Sequence, residues 1–288
     1  MMLNSSKWTM SFKPNPRARM RLFCVPYAGA GASVYRDWHA SIRADVEVVG
    51  IQLPGRENRF SEPLLGSIDE IVAQLIGVIC EQSDKPFVLF GHSMGALVSF
   101  ELTRAIQRLG GLAPRHLIVS GTRAPSRPRR DEPIHQLDDD AFLEKIKCFN
   151  GTPTSLLQDV ELMKLFTPLL RADFGVAESY RYEDRGPIWC PVTVLGGDED
   201  EGVALEDLHA WPTVCRSSCD RHVFRGDHFF IHKHKAQIID LINGVFDGLL
   251  STSRGRTDAP ADARMPCSPQ TPNKVQPSMQ GVIEEGLM

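Results

Sequence analysis

Short apolar runs alternate along most of this chain with longer stretches whose apolar residues fall three and four apart. The short runs are Arg21–Val25, Val46–Ile51, Phe87–Phe90, His116–Ser120, Val192–Leu195 and His222–Phe224. They are rich in Val, Ile, Leu or Phe with Gly or Pro close by, the composition of strands buried on both faces of a sheet. Ser67–Ser83 carries Ile68, Ile71, Val72, Leu75 and Ile79, the spacing of an amphipathic helix. Ser67 followed by Glu70 is a capping box that starts it. Met94–Leu109 reads as a second helix, stopped by Gly110-Gly111. Ala236–Leu250 reads as a third, with Ile239, Ile242, Phe246 and Leu249 on one stripe. Strand–helix alternation of this kind predicts an α/β fold, a mostly parallel central sheet with helices on both faces.

Two stretches interrupt the alternation. Residues 123 to 190 have no strand pattern and predict helices over Asp138–Phe149, Ser155–Leu170 and Ala172–Tyr180. Helices inserted late in such a sheet suggest a cap over its C-terminal edge, where α/β sites lie. From Ser251 onward the chain carries Pro260, Pro266, Pro269, Pro272 and Pro277 among Ser, Thr, Gln and Arg. Burial there is too small to offset ordering entropy, so 251–288 is expected to be a disordered tail after a domain spanning 1–250.

Composition narrows the function classes. Apolar residues make up 42% of 288, enough for a sizeable core. The net charge of −4 leaves no basic field for nucleic acid. No run of about 18 uncharged apolar residues predicts a membrane span, and the opening MMLNSSKWTM lacks the apolar stretch of a secretory signal. Seven cysteines spread over the length suit reduced thiols and a cytoplasmic location. Cys215 and Cys219 have no partners at zinc spacing, so neither a metal nor a cofactor site is predicted.

The sharpest chemical signal is Phe87-Val-Leu-Phe-Gly91-His92-Ser93-Met94-Gly95, a strand, then G-x-S-x-G, then a helix. A tight strand-to-helix turn lifts the serine hydroxyl out of the sheet, and the helix N-terminus faces developing negative charge. A serine nucleophile needs a histidine base and an acid to orient it, which in this arrangement follow in the order Ser, acid, His. His228, in Gly226-Asp227-His228-Phe229-Phe230 after the last strand, is the candidate base. His92 flanks Ser93, but from the adjacent position its side chain cannot easily face the hydroxyl. Asp198, Glu199 and Asp200 all follow the strand ending at Leu195. Counted as G-x-x-D from Gly197, the turn presents Asp200; Asp198 is the alternative. For an oxyanion hole, one backbone donor is the amide of Met94 and the other is assigned to Ala28, in the loop Pro26-Tyr-Ala-Gly-Ala-Gly-Ala-Ser33. That loop has neither G-x-G-x-x-G nor G-K-[ST], so it is not read as a phosphate cradle.

GHSMG at 91–95, the PYAGAGAS loop, LPGREN at 53–58 with Glu62-Pro63, and GDHFF at 226–230 together resemble the type II thioesterases. These are the discrete α/β-hydrolase enzymes that accompany polyketide synthases and nonribosomal peptide synthetases. The resemblance runs from about Trp8 to Leu250. It implies the α/β-hydrolase fold, a helical lid at about 125–185 that includes LLRADF at 169–174, and a catalytic set of Ser93, Asp200 and His228 with Met94 and Ala28 at the oxyanion hole. It implies hydrolysis of acyl groups from phosphopantetheinylated acyl or peptidyl carrier proteins, an editing role that frees stalled modules. Two positions depart from the family: Gly29-Ala30 replaces paired glycines, and Asp227 stands before His228 where glycine is usual. Medium-chain thioesterases of fatty acid synthase share LPGRE-type and GHSMG motifs and are the near alternative. A serine esterase for small oxygen esters is a more distant one, and a non-enzymatic carrier-binding protein a third. Arg123, Arg127, Arg129 and Arg130, four arginines in eight residues, either dock an acidic carrier or form a solvated basic loop.

Overall fold

In the computed structural model of the chain, the described residues are 7–149, 151 and 159–254. They hold a seven-stranded sheet: β1 (Thr9–Met10), β2 (Met20–Val25), β3 (Val46–Ile51), β4 (Phe87–His92), β5 (His116–Ser120), β6 (Val192–Gly197) and β7 (Cys219–Phe224). The order across the sheet is β1-β3-β2-β4-β5-β6-β7, and every pairing is parallel except β1 with β3. The mostly parallel α/β sheet expected from the sequence is present.

Side chains alternate across β4 and define the two faces. Phe87 and Leu89 join a core with α1 (Ile68–Glu81) and α2 (Met94–Leu109). Val88 and Phe90 join the opposite core with Tyr35, Trp38 and the stripe Ile238, Ile239, Ile242 and Phe246 of the C-terminal helix Lys235–Arg254. Every residue of β4 is buried, as a central strand between two helical layers must be.

The differences from the pattern reading have local causes. β1 is two residues long, too short to register as a period. β7 begins at Cys219 rather than His222, because its first half, Cys219-Asp220-Arg221, is polar and lies on a partly solvated edge. The capping box at Ser67 is present in a shifted form. The Ser67 hydroxyl accepts from the Glu70 amide at 3.1 Å, while the Glu70 carboxylate reaches back to the amide of Gly66 at 2.7 Å.

Between β5 and β6 lie α3 (Asp139–Cys148) and α4 (Val160–Ser179). Two predicted helices, broken at Arg171, are one: nothing between Leu170 and Ala172 disfavours the helical backbone, and α4 also runs through Pro168. The predicted start at Ser155 lies outside the described residues. Ile134, Phe142, Ile146, Met163 and Leu170 form a small core of this helical pair's own. The C-terminal helix continues to Arg254, four residues into the segment assigned to the tail; residues 255–288 lie outside the described residues. No helix among the described residues is long and apolar enough to cross a membrane.

Candidate active site

Ser93 sits between β4 and α2 with φ 53° and ψ −120°, a backbone conformation that L-residues rarely adopt. Close packing holds it there. A β-carbon on Gly95 would overlap the carbonyl oxygen of Val25, and one on Gly91 would overlap the backbone of Gly95. The Ser93 amide donates to the carbonyl of Ser120 at 2.8 Å, tying the turn to the end of β5. Gly95→Ala is therefore expected to destabilise the fold by about 1–3 kcal/mol through overpacking. A lowered urea midpoint would register it; an unchanged midpoint would show that the contact with β2 is loose.

The structure brings three of the candidate residues into one line. His228 Nε2 lies 2.9 Å from Ser93 Oγ, and His228 Nδ1 lies 2.7 Å from Asp200 Oδ2. Asp200 is buried, with its side chain 2% exposed, and its other oxygen accepts from the Gly202 amide at 3.0 Å. Asp198 faces away from this line. Its carboxylate accepts from the Gly226 amide at 2.8 Å and closes the turn that carries His228. Glu199 makes a long, exposed ion pair with Arg225 at 3.6 Å. Asp227, the departure beside His228, accepts from the Phe229 amide at 2.9 Å in a local turn.

His92 is fully buried behind the site. Its Nδ1 is 2.9 Å from Ser120 Oγ, and its ring centroid is 5.1 Å from that of His228. Burial, and then the neighbouring His228 and His232, hold its pKa well below the usual histidine range. It is thus a neutral wall for the His228 ring rather than a rival base. Tyr27 contacts both His92 and Phe229 edge-on, with centroids 5.6 and 5.2 Å apart. Burial pushes the Tyr27 phenol up to about 12, so it stays protonated, 3.1 Å from His232 Nε2. These rings bind the loop after β2, the serine turn and the histidine loop into one unit.

Met94 is the first residue of α2, where helical amides have no partner within the helix. Gly95 abuts the carbonyls of Val25 and Pro26, so the head of α2 lies directly against the loop that carries Ala28. The two segments assigned the oxyanion donors are thus in contact with one another. On the far side, Phe149 at the end of α3 lies 6.5 Å from the His228 ring and 5.5 Å from Phe174 of α4. The helical pair therefore reaches the site with aromatic side chains.

Sequence reasoning missed Arg56 and Asp173. Both lie in segments that carry the family resemblance, LPGREN and LLRADF, yet nothing in spacing pairs residues so far apart. They form a buried two-pronged ion pair, Arg56 Nη1 to Asp173 Oδ2 at 2.8 Å and Nη2 to Oδ1 at 2.9 Å. The arginine run is also paired within the chain. Arg127 and Arg130 both approach the buried Asp207, at 3.4 and 3.2 Å. Arg129 meets Glu178 at 3.2 Å, and Arg123 meets Asp131 at 3.1 Å. Arg127 and Arg130 are half-exposed and share one carboxylate, so the surplus positive charge lies with them.

Residues 20–246 match the family model of the thioesterase domain. The gramicidin S biosynthesis protein GrsT of Aneurinibacillus migulanus is 41% identical over 237 residues, 82% of this chain and 93% of that one. Thioesterase PikA5 of Streptomyces venezuelae is 36% identical over 258 residues, 89% of this chain and 90% of its own. Among solved structures, the type II thioesterase BorB from the borrelidin biosynthetic cluster superposes with a TM-score of 0.78 at 33% identity. The match covers 84% of this chain and 99% of BorB.

Proposed function

The chain belongs to the thioesterase family, and from that membership we propose that it is a discrete, cytoplasmic serine thioesterase of polyketide or nonribosomal peptide assembly. Its substrates are acyl groups stalled on the phosphopantetheine arms of carrier proteins, and its role is editing. The observation that carries the reading is the unbroken contact from Ser93 Oγ through His228 to Asp200.

Each group then has one task. Asp200 accepts a hydrogen bond from Nδ1–H of His228 and so keeps that proton on Nδ1, which leaves Nε2 free to take the proton of Ser93. Ser93 Oγ attacks the thioester carbonyl, and its proton passes to His228. The carbonyl oxygen becomes an oxyanion held by the amides of Met94 and Ala28. Collapse breaks the carbon–sulfur bond, and the departing thiolate of pantetheine takes the proton from His228. Water then attacks the acyl-serine, again losing a proton to His228, and the returning proton restores Ser93 as the free acid leaves.

In this reading the thin pantetheine arm reaches Ser93 past the helical pair while the carrier remains outside. Binding energy from the carrier can then position the thioester, which an ester with a bulky alcohol cannot gain. We expect kcat/KM for an acyl-carrier protein to exceed that for the matching p-nitrophenyl ester. Replacing Arg127 and Arg130 together by Gln, with Asp207→Asn so that no buried carboxylate loses its counter-ion, is expected to lower only the carrier reaction, several-fold at low salt, and to flatten its salt dependence. Simple esters turned over as well as carrier-bound acyl groups, with no response to these substitutions, would favour an esterase instead.

A further inference from the structure

Asp173 is a carboxylate of α4 that takes no part in the chemistry above, yet it is fully engaged. Its side chain is 3% exposed, and its oxygens accept three hydrogen bonds: two from Arg56, and one at 2.7 Å from the amide of Gly29. Gly29 follows Ala28 directly. It has φ +78°, and a β-carbon there would overlap Leu170 of α4, so the helix rests on the bare backbone of this loop. Arg56 completes the junction by donating from Nη1 to the carbonyl of Ala30 at 3.1 Å. Gln52 braces it from below, accepting from the Ala32 amide at 2.8 Å and donating to the Arg56 carbonyl at 3.0 Å.

We propose that Asp173, held by Arg56, is a positioning residue of the oxyanion hole: the buried pair lets α4 grip the Gly29 amide and so aims the neighbouring Ala28 amide at the reacting carbonyl. The helical insertion is then part of the hydrolytic frame rather than only a cover. The assignment rests on the reading of Ala28 as an oxyanion donor. The physical reason is orientation. An amide turned by a fraction of an ångström still packs, but it meets the transition-state oxygen poorly, and misplacement of about 1 Å can cost about 10²-fold. One backbone bond, from the Ala30 amide to the Tyr27 carbonyl at 3.0 Å, closes the turn centred on Ala28 and Gly29, and the Asp173 bond to the Gly29 amide fixes how that turn sits against α4.

The test separates aim from folding. Asp173→Ala removes the acceptor of the Gly29 amide and leaves the Arg56 charge buried without its counter-ion, so some of the protein is expected to misfold. Turnover is therefore counted per serine titrated with a fluorophosphonate. On an acyl-pantetheine thioester, kcat per titrated site should fall by about 10²-fold while KM changes by less than about threefold. In the pair Arg56→Met with Asp173→Leu, apolar side chains replace both charges, and thermal stability should return towards that of the wild type. Its kcat should nevertheless stay low, because the Gly29 amide has lost its acceptor. An alkylboronic acid forms a tetrahedral adduct on Ser93 that mimics the transition state, and its affinity should fall in parallel with kcat. A stable double variant with wild-type kcat and unchanged boronic acid affinity would overturn the assignment. Failure of the thioesterase reading looks different: the wild type would then release no acid from the thioester. Boronic acid affinity would still test the clamp in that case.

Discussion

Ser93→Ala is expected to fold as the native chain does and to lose a factor of about 10⁶ in thioester turnover. Both halves of that result follow from the local geometry. Among the described residues the Ser93 side chain makes one polar contact, with His228 at 2.9 Å, and it is not a capping group for α2. The backbone bond from its amide to the Ser120 carbonyl does not depend on the hydroxyl. Alanine thus removes the attacking atom and leaves the turn, the head of α2 and the buried Asp200–His228 pair in place. What remains is a bound thioester facing two amides and an imidazole with no nucleophile between them. Such a site retains only the modest rate enhancement of binding and oxyanion stabilisation. Steady-state hydrolysis of an acyl-pantetheine thioester, run beside a thermal melt, checks both halves. Turnover within about a factor of ten of wild type would remove Ser93 from the mechanism.

The parts of this site that are legible in the sequence are those written in one short stretch. The serine turn is such a case: Phe87 to Gly95 contains the buried strand, the two small residues and the start of the helix. The order Ser93, Asp200, His228 is legible because each residue lies just beyond a strand that its own composition reveals. The roles of Asp198 and Asp200 are separated in space rather than in sequence. Both follow β6 and both are acidic, and only the fold shows that one meets the Gly226 amide and the other His228. Arg56 and Asp173 were invisible for a related reason. Their pairing joins the loop after β3 to a helix inserted before β6, and no periodicity encodes a contact of that span. The arginine run shows the opposite error. Four like charges in a short stretch suggest a free basic surface, but the buried carboxylates of Asp207 and Glu178, together with the exposed Asp131, pair with all four.

Asp200→Asn should lower turnover by about 10⁴, while Asp198→Asn should change it little. The two residues stand close in the chain and differ in what they accept. Asp200 Oδ1 receives the Gly202 amide at 3.0 Å, and Oδ2 receives His228 Nδ1 at 2.7 Å. In the asparagine variant the Gly202 amide still requires an acceptor, so the side-chain oxygen is kept on that side and the NH₂ group turns towards His228. A donor facing Nδ1 forces the imidazole to carry its proton on Nε2. That tautomer cannot take the proton of Ser93, and the geometry survives without its chemistry. The negative charge that would stabilise the imidazolium is lost as well. At Asp198 the partner is the Gly226 amide at 2.8 Å, and the carbonyl of asparagine accepts that bond equally well. Its replacement should cost no more than a weakened turn, with the loss of about one charge-assisted hydrogen bond. The measurement is kcat for both variants on one thioester, with melting temperatures to show that each is folded. A greater loss at Asp198 than at Asp200 would mean that the carboxylate now closing the turn is the one that orients His228, and the contact at 2.7 Å would then have no catalytic role.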